Sequence, residues 1–207
     1  MKKILSVVLV LVLALSLVAC GGNSTVSDGS AVTEVAETGG SDYETVAVGN
    51  KISTDFVEIT ITESGIANSL KTSIKNGNIT YTFGPNDSEE TEYAFIKGKI
   101  MNKATETINK DMTAIAKVGE YTLKEDGLDI YKSDGDTVWE LAPLVEYNFM
   151  MYVEIPNALV NSMESCDFNF GFDENMQSSF SDFEEFGYKY SLKIIPETQA
   201  PATETVE

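Results

Sequence analysis

Period-two alternation of apolar and polar residues dominates the middle of this chain, and it restricts the fold more than any other feature. Between residues 144 and 155, Tyr147, Phe149, Met151, Val153 and Ile155 share one parity, while Asn148, Met150, Tyr152 and Glu154 share the other. On a β-strand that spacing gathers the first set on one face. Phe168, Phe170 and Phe172 alternate in the same way with Asp167, Asn169 and Gly171, the pattern of a sheet interior. Val57, Ile59 and Ile61 alternate with Glu58, Thr60 and Thr62. Further strand-like runs cover residues 79–83, 93–101, 115–123, 128–131, 137–141 and 188–195. Turn residues fall between them: Asn76-Gly77, Gly84-Pro85, Glu125-Asp126-Gly127 and Ser133-Asp134-Gly135-Asp136. Only residues 157–163 hint at a helix. The pattern predicts an all-β fold, an antiparallel β-sandwich of about seven to nine strands, with a small β-barrel as the alternative.

Composition divides the chain into four. Residues 50–195 carry the alternating runs and are long enough for one domain with its own core. Residues 20–49 are rich in Gly, Ser, Thr and acids, with too few large apolar residues to offset the entropy of ordering, and read as a flexible acidic tether. Residues 196–207, with three acids and two prolines, read as a disordered tail.

The first nineteen residues have a different character. Met1-Lys2-Lys3 is a short basic start, and residues 4–19 form an apolar run broken only by Ser6 and Ser16. That length is short for a spanning helix, which needs about 20 residues, and suits a secretory signal. The run ends Leu17-Val18-Ala19-Cys20-Gly21. This arrangement resembles the export signals of bacterial lipoproteins, with Leu17 and Ala19 flanking the cleavage point. The resemblance implies cleavage before Cys20, a diacylglyceryl group on its thiol, and a chain held at the extracytoplasmic face of the cell membrane. Two acyl chains suffice for stable anchoring where one is marginal.

A second resemblance spans residues 50–195. Residues 95–104, Phe-Ile-Lys-Gly-Lys-Ile-Met-Asn-Lys-Ala, end a strand on Asn102-Lys103. Leu141-Ala142-Pro143-Leu144 then leads into the apolar run that ends at Pro156. The order is similar to immunoglobulin-like domains of uncharacterised function in Gram-positive lipoproteins, from which the chain departs by an acidic insert at residues 86–92. It implies an immunoglobulin-like sandwich and no catalytic residues.

The chain has 14 Lys plus Arg, all of them Lys, against 33 Asp plus Glu, and no His, for a formal charge of −19. Absence of His removes Ser–His, Cys–His and His–metal chemistry within the chain. Absence of Arg removes the planar fork used for bidentate phosphate recognition. Net repulsion of polyanions argues against nucleic acid as a partner. No nucleophile elbow, P-loop, dinucleotide fingerprint or Ser-x-x-Lys occurs. Paired carboxylates are the remaining enzymatic route, as in glycosidases, and among so many acids such pairs arise by chance.

Asp126, Asp129, Asp134 and Asp136 cluster beside two glycines and are candidate calcium ligands, although Asp-Gly is foremost a turn dipeptide. Glu89, Glu90 and Glu92 read as a solvated loop. Trp139, beside Val138 and Leu141, is expected in the core, with an exposed carbohydrate platform as the alternative. Phe180, Phe183, Phe186 and Tyr188, interspersed with Asp182, Glu184 and Glu185, are expected to dock on the sandwich. Cys166 reads as a small buried hydrophobe, because no neighbouring cation in sequence would stabilise its thiolate. These observations point to a non-catalytic, membrane-tethered binding module without a cofactor. Its partners would be the membrane through Cys20 and a cell-surface or cell-wall protein or glycan. The alternatives are a carbohydrate-binding or carboxylate-based glycan-hydrolysing surface protein, or the solute-binding component of a transporter.

Overall fold

The structure, a computed structural model, describes residues 42–124, 126–176 and 183–196. All belong to one compact unit, Thr38–Glu207. Cys20 with its flanking Leu17 and Ala19, Phe180, Asp182 and the tail from residue 197 lie outside the described residues.

Fourteen strands are present among the described residues. They are β1 (Glu44–Thr45), β2 (Lys51–Ser53), β3 (Val57–Ala67), β4 (Thr72–Asn76), β5 (Ile79–Phe83), β6 (Thr91–Asn102) and β7 (Ile108–Asn109). There follow β8 (Thr113–Val118), β9 (Tyr121–Leu123), β10 (Asp126–Tyr131), β11 (Glu140–Leu141), β12 (Glu146–Pro156), β13 (Cys166–Phe172) and β14 (Tyr188–Ile194). One helical turn, α1 (Asn157–Val160), stands where the helix was expected. Two five-stranded sheets form, ordered β1-β14-β13-β8-β9 and β10-β12-β6-β3-β2, with small ribbons β7-β11 and β4-β5 beside them. The fold is a β-sandwich, and the two sheets stay separate, so the barrel alternative does not hold. The strand number exceeds the expected seven to nine because β1, β2 and β9 add short edges of two or three residues and the two ribbons add four strands outside the main sheets. The pairing is antiparallel except for β1, which runs parallel to β14.

The alternating runs explain which faces meet. Tyr147, Phe149, Met151, Val153 and Ile155 of β12 are all buried against Cys166, Phe168, Phe170 and Phe172 of β13, in one cluster with Ile59, Ile61, Ile96 and Ile100. Each such side chain contributes about 1.5–3 kcal/mol when fully removed from water. Phe170 stacks on Tyr190 and Phe172 on Tyr188, at ring separations of 5.4 and 5.3 Å. Cys166 belongs to this cluster, and burial first, then Asp167 beside it, pushes its thiol up to about 12. It is therefore an uncharged core residue at neutral pH.

Four local expectations shift. The domain begins before residue 50: β1 pairs with β14, Val46 is in the core, and its N–H donates to the Ser191 carbonyl at 2.8 Å, so residues 44–49 belong to the sandwich and not to the tether. The run at 115–123 is two strands, because Gly119 turns the chain back with φ +58°. Asp126 and Gly127, expected in a turn, sit within β10 opposite Val153 and Tyr152. There Gly127 lacks a side chain where the Tyr152 ring lies. The hairpin β4-β5 turns on Gly77-Asn78 rather than Asn76-Gly77, with Gly77 at φ +60° and Asn76 paired to Ile79.

One buried polar residue ties the loops at an end of the sandwich. Asn102 closes β6 with no exposed surface. Its amide nitrogen donates to the Glu106 and Leu141 carbonyls at 2.7 and 2.8 Å, and its side-chain oxygen accepts from the Ala104 N–H at 2.7 Å. Lys103 next to it donates to the Thr54 carbonyl at 2.6 Å. Asn102→Ala would leave three backbone groups without partners, and we expect it to cost about 3 kcal/mol of unfolding free energy by denaturant titration. A loss below about 1 kcal/mol would contradict this role.

Candidate functional site

Near the loops tied by Asn102 stand the two most exposed large hydrophobic side chains among the described residues. Leu144 N–H donates to the Asn102 carbonyl at 2.8 Å, and the Tyr147 hydroxyl accepts from the Ala142 N–H at 3.1 Å. These bonds hold Leu144 at φ +57°, a left-handed conformation that a residue with a side chain rarely adopts. The result is a leucine 73% exposed, followed by Val145 at 39%. Trp139, on the other side of β11, is 79% exposed. It is thus not a core residue, contrary to the expectation. The flanking residues Val138 and Leu141 are the ones packed inward, and the Lys110 ammonium lies 4.7 Å from the indole centre. A cation placed on an aromatic face is worth about 0.5–1 kcal/mol when exposed. It also steadies a ring that otherwise has water around it.

The four aspartates proposed as calcium ligands are not brought together. Asp126 and Asp129 are three apart on β10, so they point to opposite faces of the sheet. The Asp126 carboxylate accepts from the Ala114 N–H at 2.8 Å, and burial raises its pKa above the usual carboxylate range. The Asp129 carboxylate accepts from the Gly84 N–H at 2.8 Å and so fastens the β4-β5 hairpin. Asp134 and Asp136 sit in the expected turn, where the Asp134 carboxylate accepts from the Asp136 N–H at 3.3 Å and Gly135 takes φ +93°. Among the described residues no group of three or more Cys, Asp or Glu side chains is placed to hold a metal ion. In the 86–92 insert, Asp87 is held below the usual carboxylate range by the Ser69 hydroxyl and then by Lys71.

The aromatic segment docks as expected where it is described. Phe183 and Phe186 are buried against Ile115 on the outer face of the first sheet, with Tyr43 stacked on Phe183 at 6.0 Å. Tyr188 lies in β14 and joins the interior. A second outer cluster, Leu70, Phe83, Tyr93, Phe95, Tyr131 and Met150, fills the space under the β4-β5 hairpin, where Phe83 and Tyr131 stack at 4.1 Å. Sequence reading did not single out Leu144, Val145 or Lys110. The available signal was Pro143-Leu144-Val145, two apolar residues just before a strand whose own inward set begins at Tyr147.

No family model matches the chain, and no curated protein matches it in sequence. Among solved structures the chain is similar to an uncharacterized beta-sandwich protein from Clostridium difficile 630. Identity is 18% and the TM-score 0.56, over 76% of this chain and 97% of that one. The likeness shows the fold. Among the described residues no helix is long and apolar enough to cross a membrane.

The chain has one tryptophan, so its fluorescence reports on Trp139 alone. We expect emission near that of free indole in water, ready quenching by acrylamide, and a cost of under about 0.5 kcal/mol for Trp139→Ala. Blue-shifted emission shielded from the quencher would contradict the exposed placement.

Proposed function

We propose that this protein is a lipid-anchored extracytoplasmic binding module without catalytic activity, which meets a cell-surface or cell-wall protein or glycan through the loop end bearing Trp139, Leu144 and Val145. The anchoring part rests on residues 1–22, whose basic start, apolar run and Cys20 match a lipoprotein export signal. The binding part is supported by one observation: a leucine held in an unfavourable backbone conformation and a tryptophan are both turned to water on either side of the two-residue β11, whose Leu141 is buried. Tryptophan is among the residue types that carry most of the energy at recognition surfaces. An exposed indole also offers a sugar ring a flat apolar face, which favours a glycan among the possible partners.

The test is to express the full chain in a Gram-positive host with its Cys20→Ala and Trp139→Ala variants, then fractionate the cells and sediment each product with purified cell wall. The parent should be in the membrane fraction and sediment with wall. Cys20→Ala should be released or remain unprocessed, and Trp139→Ala should stay membrane-bound but lose the wall. Unchanged fractionation and mass for Cys20→Ala would sink the anchor, and wall retention indifferent to Trp139 would sink the loop end as the contact.

A further inference from the structure

A groove of about 380 Å³ lies on the solvent face of the β1-β14-β13-β8-β9 sheet, lined by Tyr43, Lys117, Asp167, Asn169, Ser191 and Lys193, among others. Strand parity places these side chains there. The even-numbered residues of β13 and β14 fill the interior, so Asp167, Asn169, Ser191 and Lys193 point outward. The register sets Asp167 directly between Lys117 on β8 and Lys193 on β14, and Asn169 beside Ser191. Adjacent strands are about 4.8 Å apart, so the two lysine Cα atoms stand roughly 10 Å apart, within reach of one small ligand between their ammonium groups.

Two observations mark this groove as more than a wet sheet face. Asn169 is only 3% exposed, one of two buried polar residues among those described. The other, Asn102, has every side-chain polar atom bonded, whereas among the described residues no hydrogen bond to the Asn169 side chain falls within 3.5 Å. The Asn169 amide is not among the fully enclosed atoms left without a partner, which are Thr91 Oγ1 and Asn157 Oδ1 among the described residues, so it keeps an opening to solvent and can bond what enters the groove it lines. The two lysines supply the second observation. Lys117 and Lys193 have no carboxylate within 4.0 Å, as is also true of Lys75, Lys103, Lys110, Lys124 and Lys189 among the described residues; what distinguishes the two is that the strand register brings them to one groove on either side of Asp167. Lys117 instead lies 5.2 Å from the centre of the Tyr43 ring.

We propose that this groove binds an anionic sugar, a sugar acid or sugar phosphate. Lys117 and Lys193 would take the oxyanion, and the Asn169 amide would accept and donate at its floor. The Asp167 carboxylate between the lysines disfavours a bare anion and accepts from a ligand hydroxyl, which is why an oxyanion carried on a polyol fits better than phosphate alone. Tyr43 forms an aromatic rim for the apolar side of a sugar ring. The groove shares no residue with the loop end, so its failure would leave the loop-end reading standing.

The test is a nuclear magnetic resonance titration of the unit Thr38–Glu207, which holds the whole interior described above. The probes are galacturonate, glucose 6-phosphate and, as the neutral control, glucose, at constant ionic strength and up to about 20 mM, enough to fill a site of Kd about 1 mM. At least one anionic sugar should shift the Asn169 side-chain amide saturably, its identity telling carboxylate from phosphate as the source, while glucose should not. Lys193→Gln, an exposed change, should weaken binding about tenfold, the loss of one charge-assisted contact. Lys117→Gln with Lys193→Gln should abolish it at an unchanged melting temperature. No saturable shift with either anion, an equal shift with glucose, or a shift that survives loss of the lysines would each overturn the proposal.

Discussion

The pairing of β6 with its two long neighbours is the constraint on which the molecule depends. Eleven residue pairs join β6 to β12 and ten join it to β3. That register decides which parity of each strand faces the opposite sheet, since a slip of one residue would turn the whole apolar set outward. Gly98, in the middle of β6, is where the strands come closest: a Cβ there would collide with the Thr60 carbonyl oxygen and stand 2.8 Å from the Phe149 ring. No disulfide assists, because the described cysteine, Cys166, is free and buried. The fold is held by interdigitated aliphatic and aromatic side chains between two sheets.

Each sheet also has its outer face partly covered. The β4-β5 hairpin covers one, fastened by Asp129 to Gly84 and by the Phe83–Tyr131 stack. Phe183, Phe186 and Tyr43 cover part of the other. The loop end around Trp139 and Leu144 stays open, and so does the polar groove lined by Asn169. Both are built on strand ends or strand faces whose positions the interior determines, so a partner would meet a preorganised surface.

Much of this architecture was legible in the alternation. The inward faces of β12 and β13, the strand ending at Asn102 and the turn at 133–136 follow from period two and turn chemistry. Edges were not legible: β1 is two residues long, and its place beside β14 is a long-range pairing that no local pattern announces. The four aspartates, close in sequence, are not gathered in space, because residues three apart on a strand project to opposite faces, as Asp126 and Asp129 do. Trp139 was misplaced because apolar neighbours suggest a core, while the turn at 133–136 and the two-residue β11 leave it beyond the strand period. The groove was invisible for the opposite reason, since Lys117, Asn169 and Lys193 come from three strands and meet only through register.

Amide hydrogen exchange of the unit Thr38–Glu207 tests the account most directly, because it reads the stability of each strand separately. If the β6-centred interior carries the fold while the loop end is left free to act, amides at 96–100 and 147–155 should exchange last, through global unfolding. Those at 139–140 and 145 should exchange first. Early exchange in β6 and β12, or a loop end as protected as the interior, would contradict it.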